Sequence, residues 1–270
     1  MNEENQDLIE QNNVEWQAPP IPEEIVNTEE PAQMSEVGTL GNIFFEPGKT
    51  FEDLRRKPRF ILATLIFILL STVFSFLFVN KVGEEGFRRF AQEQVEKNPS
   101  TQSLTPEQKQ KSIELNLTII KTIKYLVPLF IIIFFALGGL IYWLGVKAMG
   151  GSANYWQSVS VWVYASFAPG VVAMVANLLI LFFKSADEID IAASQRGLVQ
   201  ANPSFFVDGK QNPVLATFLG TFDFFEIWGW ILAAIGLRIV GKISTSTAWA
   251  IVLIVALIGV AFRVVSALFS

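Results

Sequence analysis

Residues 150–183 read GGSANYWQSVSVWVYASFAPGVVAMVANLLILFF, with an Ala-Pro-Gly break at 168–170. No charge interrupts the stretch, and at 1.5 Å of helical rise per residue it exceeds the ~30 Å of a bilayer's hydrocarbon core. A helix here must start in the headgroup layer at Tyr155 and Trp156 or bend at Pro169, and both fit the residues. Two further apolar runs precede it and two follow, near residues 60–79, 125–146, 214–240 and 243–269. Apolar residues make up 51% of the chain, and they gather in these runs instead of recurring at the periods of a soluble core. The fold class is therefore all-α: a polytopic membrane protein with five transmembrane helices, helical extramembrane loop and acidic N-terminal tail.

The chain has no cysteine and no histidine, which removes thiol chemistry, disulfides, histidine general bases and Cys/His metal sites. The net charge of −5 comes mainly from residues 1–40, a Glu-, Asn-, Gln- and Pro-rich segment expected to be a disordered tail. Residues 41–270 are expected to form the membrane domain. No nucleotide-binding loop, HExxH or GxSxG occurs, so neither a catalytic site nor a cofactor or metal is expected, nor a nucleic-acid partner.

Between tail and first span, residues 41–59 read GNIFFEPGKTFEDLRRKPR. Phe51 and Leu54 fall on one helical face and Arg55 and Arg56 on another, which predicts a short helix in the headgroup layer, anchored by these residues together with Ile43, Phe44 and Phe45. Arg55, Arg56, Lys57 and Arg59 directly precede the first span and place the N-terminus in the cytoplasm. Residues 80–124 form a long polar connection with a capping box at Thr105-Pro106-Glu107-Gln108, predicting a helical hairpin outside the bilayer. In the second span, Gly138 and Gly139 would let a neighbouring helix approach closely. Pro169 and Gly170 mark a kink, either a hinge or, as the plainer reading, a static bend.

Asp223 and Glu226 are the sharpest chemical candidates. At i and i+3 they share a helix face with Trp230, and carboxylates inside a span mark a proton, cation or partner site. Alternatively the fourth span begins near Phe222 and both acids are end residues at the water interface. Gln157, Ser160 and Tyr164, with Asn177 deeper, give the third span a polar face suited to interhelical hydrogen bonds.

The segments NIFFEPGKTFEDLRRKPR (42–59), GGSANYWQSVSVWVYASFAPG (150–170) and LGTFDFFEIWGWILAAIGLRIVGKISTSTAWAI (219–251), in this order, resemble the bacterial branch of the Yip family, the Ypt/Rab-interacting membrane proteins. The resemblance implies a five-helix domain, a cytoplasmic N-terminus and homo- or hetero-oligomers with other membrane proteins. Eukaryotic members are tied to vesicle traffic through small GTPases. That role is not carried over, because the sequence lacks their Asp-Leu-Tyr-Gly-Pro segment. The expected function is non-enzymatic: helix-mediated assembly with protein partners, or membrane organisation and trafficking, in the bacterial inner membrane. The alternative is a small transporter or channel component using the intramembrane carboxylates.

Overall fold

Helices form wherever long apolar runs leave the backbone no other way to satisfy its hydrogen bonds. The computed structural model describes residues 31–207 and 211–267, so the reading of residues 1–30 as a disordered tail lies outside the described residues. Ala32–Ser270 forms one unit, separate from Met1–Pro31. Its helices are α1 (Glu36–Asn42), α2 (Pro47–Arg56), α3 (Ile61–Lys97), α4 (Pro106–Ala148), α5 (Tyr155–Phe183), α6 (Pro213–Leu219), α7 (Phe224–Gly241) and α8 (Thr245–Ala267). Five of them, α3, α4, α5, α7 and α8, are long and apolar enough to cross a membrane.

The tail ends sooner than expected. Residues 36–40, assigned to it above, belong to α1, where Ser35 accepts the Gly38 N–H as N-cap and Thr39 is buried. The fourth run differs too. Residues 214–240 are two helices, because Gly220 closes α6 and Asp223, in extended conformation, caps α7. An aspartate that bonds the backbone two residues ahead competes with a continuing helix, and here it wins.

Helix α3 consists of two arms joined at Gly83, whose φ of 69° suits a residue without Cβ. Its outer arm pairs with the start of α4, where Thr105 and Gln108 cap each other's backbone N–H groups. Val82, Phe87, Ala91 and Val95 face Ile113 and Leu117 in a second small core, which Leu181 of α5 and Ile189 complete. Glu84 binds Lys121 across the pair at 2.8 Å.

The main core surrounds α5. Val159, Val161, Val163, Tyr164, Phe167 and Ala168 are buried there with Leu232, Ala233, Leu237 and Val240 of α7. Small residues set the spacing. A Cβ on Gly138 would lie 2.0 Å from the Trp162 ring, one on Gly139 2.8 Å from Val159 Cα, and one on Gly170 2.4 Å from Phe67 Cε2. These glycines therefore serve packing within the chain. Helix α5 continues through Pro169 as one helix. Proline has no N–H to offer the Ala165 carbonyl, and Gly229 of α7 covers that oxygen so closely that a Cβ there would lie 3.4 Å from it.

Candidate functional site

Two polar clusters mark opposite ends of the bundle. The first is built by the segment before the first span. Phe51 and Leu54, expected to anchor in lipid headgroups, are 0% exposed and belong to the main core. The physical reason lies on α7: Gly236 leaves a gap that the Phe51 ring fills, within 2.8 Å of where a Cβ would stand. Burying each such side chain from water is worth about 1.5–3 kcal/mol, which favours docking α2 on the bundle. Ile43 is buried beside them, and Phe44 meets Phe167 and Trp228 edge-on at 6.4 and 6.2 Å. Phe45, by contrast, is 85% exposed. Arg55 and Arg56 are half-buried on the last turn of α2.

An ion pair closes this segment. Arg59 Nη2 donates to Asp53 Oδ2 at 3.1 Å, with the two side chains only 9% and 1% exposed. Asp53 Oδ1 also accepts the Gln33 and Met34 N–H groups, and Arg59 Nη1 donates to the Met34 carbonyl. The Asp53–Arg59 lock ties residues 33–34 to the start of α3. Sequence alone marked Arg59 as a flanking charge and gave Asp53 no partner. Their meeting depends on the extended turn at Lys57, which no helical spacing reports. Gln157 adds a second tie, donating from Nε2 to the Arg55 carbonyl at 2.7 Å.

The second cluster holds Asp223 and Glu226. Asp223 Oδ1 accepts the Phe225 N–H at 2.9 Å, and Oδ2 accepts Asn202 Nδ2 at 3.0 Å. The Phe224 N–H goes to the Ala201 carbonyl at 3.0 Å, so the loop before α6 is stitched to the N-terminus of α7. Glu226, in the first turn of α7, pairs with Arg263 at 2.7 Å, both partly exposed. Neither Arg263 nor Asn202 stood out in the sequence as a partner of these acids. Trp230 adds no polar contact to either acid among the described residues. Nearby, α6 and Val264 of α8 border an open depression of about 520 Å³ lined by Gln211, Asn212, Val214, Leu215 and Phe218, with no ionisable side chain in its wall among the described residues.

The polar face of α5 is occupied from within. Ser160 Oγ donates to the Trp156 carbonyl at 2.9 Å, and Gln157 caps its own helix with Asn154. Asn177 is buried and accepts the Leu198 and Val199 N–H groups, while Gly197, at φ 114°, packs against it. Asn177 is thus a strut for the loop after α5. Outside the membrane-spanning segments, Lys121 and then Arg88 hold the Glu84 carboxyl below its ordinary range.

The family described as the Yip1 domain matches residues 41–267. The chain is also similar to the membrane protein YknW of Bacillus subtilis (strain 168), at 33% identity over 131 residues, which is 48% of this chain and 52% of that protein. The chain thus spans about half the length of the curated relative it matches. No solved structure matches it.

Proposed function

The chain belongs to the Yip1-domain family of membrane proteins, and we propose that it acts without chemistry of its own, by assembling with other membrane proteins through the outward faces of its helices. The observation that carries this reading is how the polar groups are used. Gln157, Ser160, Asn177, Asp223 and Glu226, the residues a transport path or catalytic site would need, are each bonded to their own chain. The glycines that could receive a neighbouring helix receive this chain's own Trp162, Val159 and Phe67. What is left for a partner is the apolar outer surface: Ile61, Leu65, Leu69 and Leu77 at helical spacing on α3, and Leu257, Ile258 and Phe262 on α8. In lipid these faces associate through shape and close packing, since apolar surface alone gives no preference over acyl chains.

The reading places the chain in a bacterial inner membrane with its N-terminus in the cytoplasm. Charge supports that orientation. Among the described residues, the end bearing α2 carries eight Lys and Arg (positions 49, 55, 56, 57, 59, 147, 238 and 242) against four acids (36, 46, 52 and 53). Residues 81–124 and 184–223, which make the connections at the other end, carry eleven of each sign between them.

The test is photo-crosslinking from Leu69 and Phe262 of the full-length chain in native membranes, followed by affinity purification. A discrete membrane-protein partner is expected, captured equally well by the Asp223→Asn, Glu226→Gln double variant. Ion or solute flux in proteoliposomes that this double variant abolishes would overturn the proposal in favour of a small transporter.

A further inference from the structure

We infer that the two short helices before α7, Pro203–Phe206 and α6, are seated in one leaflet of the bilayer, at the end of the bundle opposite α2, with their phenyl rings among the acyl chains of its phospholipids. The inference rests on the membrane spans and not on assembly through the faces of α3 and α8, so either can fail alone.

Exposure is the first ground. Phe206 is 86% exposed, and Phe205, Leu215, Phe218, Phe222 and Phe224 are exposed near it in the chain. Neither hydrophobic core includes any of the six. Phe205 meets Phe206 and Phe218 meets Phe222, each pair edge-on at 5.5 Å. A protein surface that faces water seldom keeps so many large apolar side chains together.

Composition is the second. Residues 203–207 and 211–222 contain no ionisable side chain, whereas the other long connection, residues 81–124, contains eight Lys and Arg and six Glu. That connection also closes its two arms over a core of their own. The segment before α7 has neither the charges that suit water nor a core that would hide its rings.

Depth is the third. Helices α7 and α8 diverge from the turn at residues 242–244 and are tied again where Glu226 pairs with Arg263 at 2.7 Å. From Thr245 to Arg263, α8 rises about 27 Å at 1.5 Å per residue, close to the ~30 Å of the hydrocarbon core. The ion pair therefore marks the far edge of the hydrocarbon. Helix α6 packs on α8 at that level, because Leu215 and Phe218 share the wall of the open depression with Val264, the residue after Arg263. Pro203–Phe206 packs on α6, and the Phe224 N–H to Ala201 carbonyl and Asn202 to Asp223 bonds pin it to the start of α7. Aromatic rings gather at this depth, where hydrocarbon gives way to headgroups.

The depression itself, of about 520 Å³, suits an acyl chain. Val214, Leu215, Phe218 and Val264 give it apolar side chains, Gln211 and Asn212 add neutral amides, and no charge lines it among the described residues.

The chain contains no cysteine, so a single nitroxide label can be placed cleanly. The experiment labels Phe206→Cys and Phe218→Cys separately, in the full-length protein in phosphatidylcholine nanodiscs. It compares spin relaxation by oxygen, which concentrates among acyl chains, with relaxation by a water-soluble nickel chelate. Leu257→Cys, midway along α8, is the lipid reference, and Glu107→Cys, at the start of α4, is the water reference. All four side chains are exposed, so the labels displace no packing. Oxygen is expected to dominate at 206 and 218 as at 257, with the ratio reversed at 107. Nickel dominance at either 206 or 218 would place that helix in water and overturn the inference. Exclusion of both reagents there would mean that protein covers the rings, and would overturn the assignment to lipid.

Discussion

Replacing Asp53 with Ala should release the whole segment before the first span. The carboxylate is 1% exposed, its Arg59 partner 9%, and three donors converge on it: Arg59 Nη2 at 3.1 Å and the N–H groups of Gln33 and Met34. Removing one side of so buried a pair strands the other charge, which costs about 3–5 kcal/mol. The segment has two alternatives to staying docked, namely leaving the bundle or admitting water, and both expose α1 and α2 amides. Hydrogen exchange in nanodiscs should therefore show protection in Glu36–Arg56 falling by about two to three and a half orders of magnitude, at ~1.4 kcal/mol per tenfold. Asp53→Asn should fall between, since the amide oxygen can still accept the two backbone N–H groups. Asp53→Leu with Arg59→Met should recover most of the loss, because an apolar pair of similar volume leaves no charge uncompensated. Protection within about threefold of wild type in Asp53→Ala, or no recovery in the apolar pair, would refute the view that this ion pair locks the segment.

The glycine contacts separate sharply. Gly139→Ala would place a methyl 2.8 Å from Val159 Cα, an atom that moves only if α4 and α5 part, and should cost about 1–3 kcal/mol in thermal unfolding. Gly41→Ala, with nothing within 4 Å in a helical position, should be neutral or gain up to about 1 kcal/mol. Protonation gives a further test at the α3–α4 hairpin. The Glu84 carboxyl is held below its ordinary value of 4.5 by its bond to Lys121, then by that charge and by Arg88. Its ionised form thus favours the folded arms. The contribution is complete above the unfolded value and fades as pH falls through the lowered folded one. Exchange protection near Val82–Val95 should decline below pH about 4.5 by a component that Glu84→Gln removes.

The five apolar runs were legible because a charge-free stretch of about 20 residues has few other uses. The capping box at Thr105 was legible because both partners lie within four residues of each other. The break at 220–223 was legible only as one of two readings, the one in which the fourth span begins near Phe222 and both acids are end residues. Hydropathy runs on through it, and an aspartate capping a new helix looks in sequence like an aspartate inside an old one. The same limit hid the lock, since Asp53 and Arg59 are brought together by a turn and not by a period. For α2, an amphipathic stripe of Phe51 and Leu54 reads identically whether its apolar side meets lipid or protein. What decides is a vacancy elsewhere, at Gly236, 185 positions along the chain from Phe51.

Such vacancies bear on how the chain can meet a partner. A helix interface in lipid needs small residues for close approach or polar groups for hydrogen bonds. Here Gly138, Gly139, Gly170 and Gly236 are filled by this chain's own rings and methyls, and Gln157, Asn177, Asp223 and Glu226 are bonded to it. Under the assembly proposal, recognition is left to the relief of the outer faces. Interior substitutions should then change stability and partner capture together. Substitutions at Leu69 or Phe262, which are exposed, should change capture while the melting temperature stays put, and that separation is what assembly through the outer faces requires.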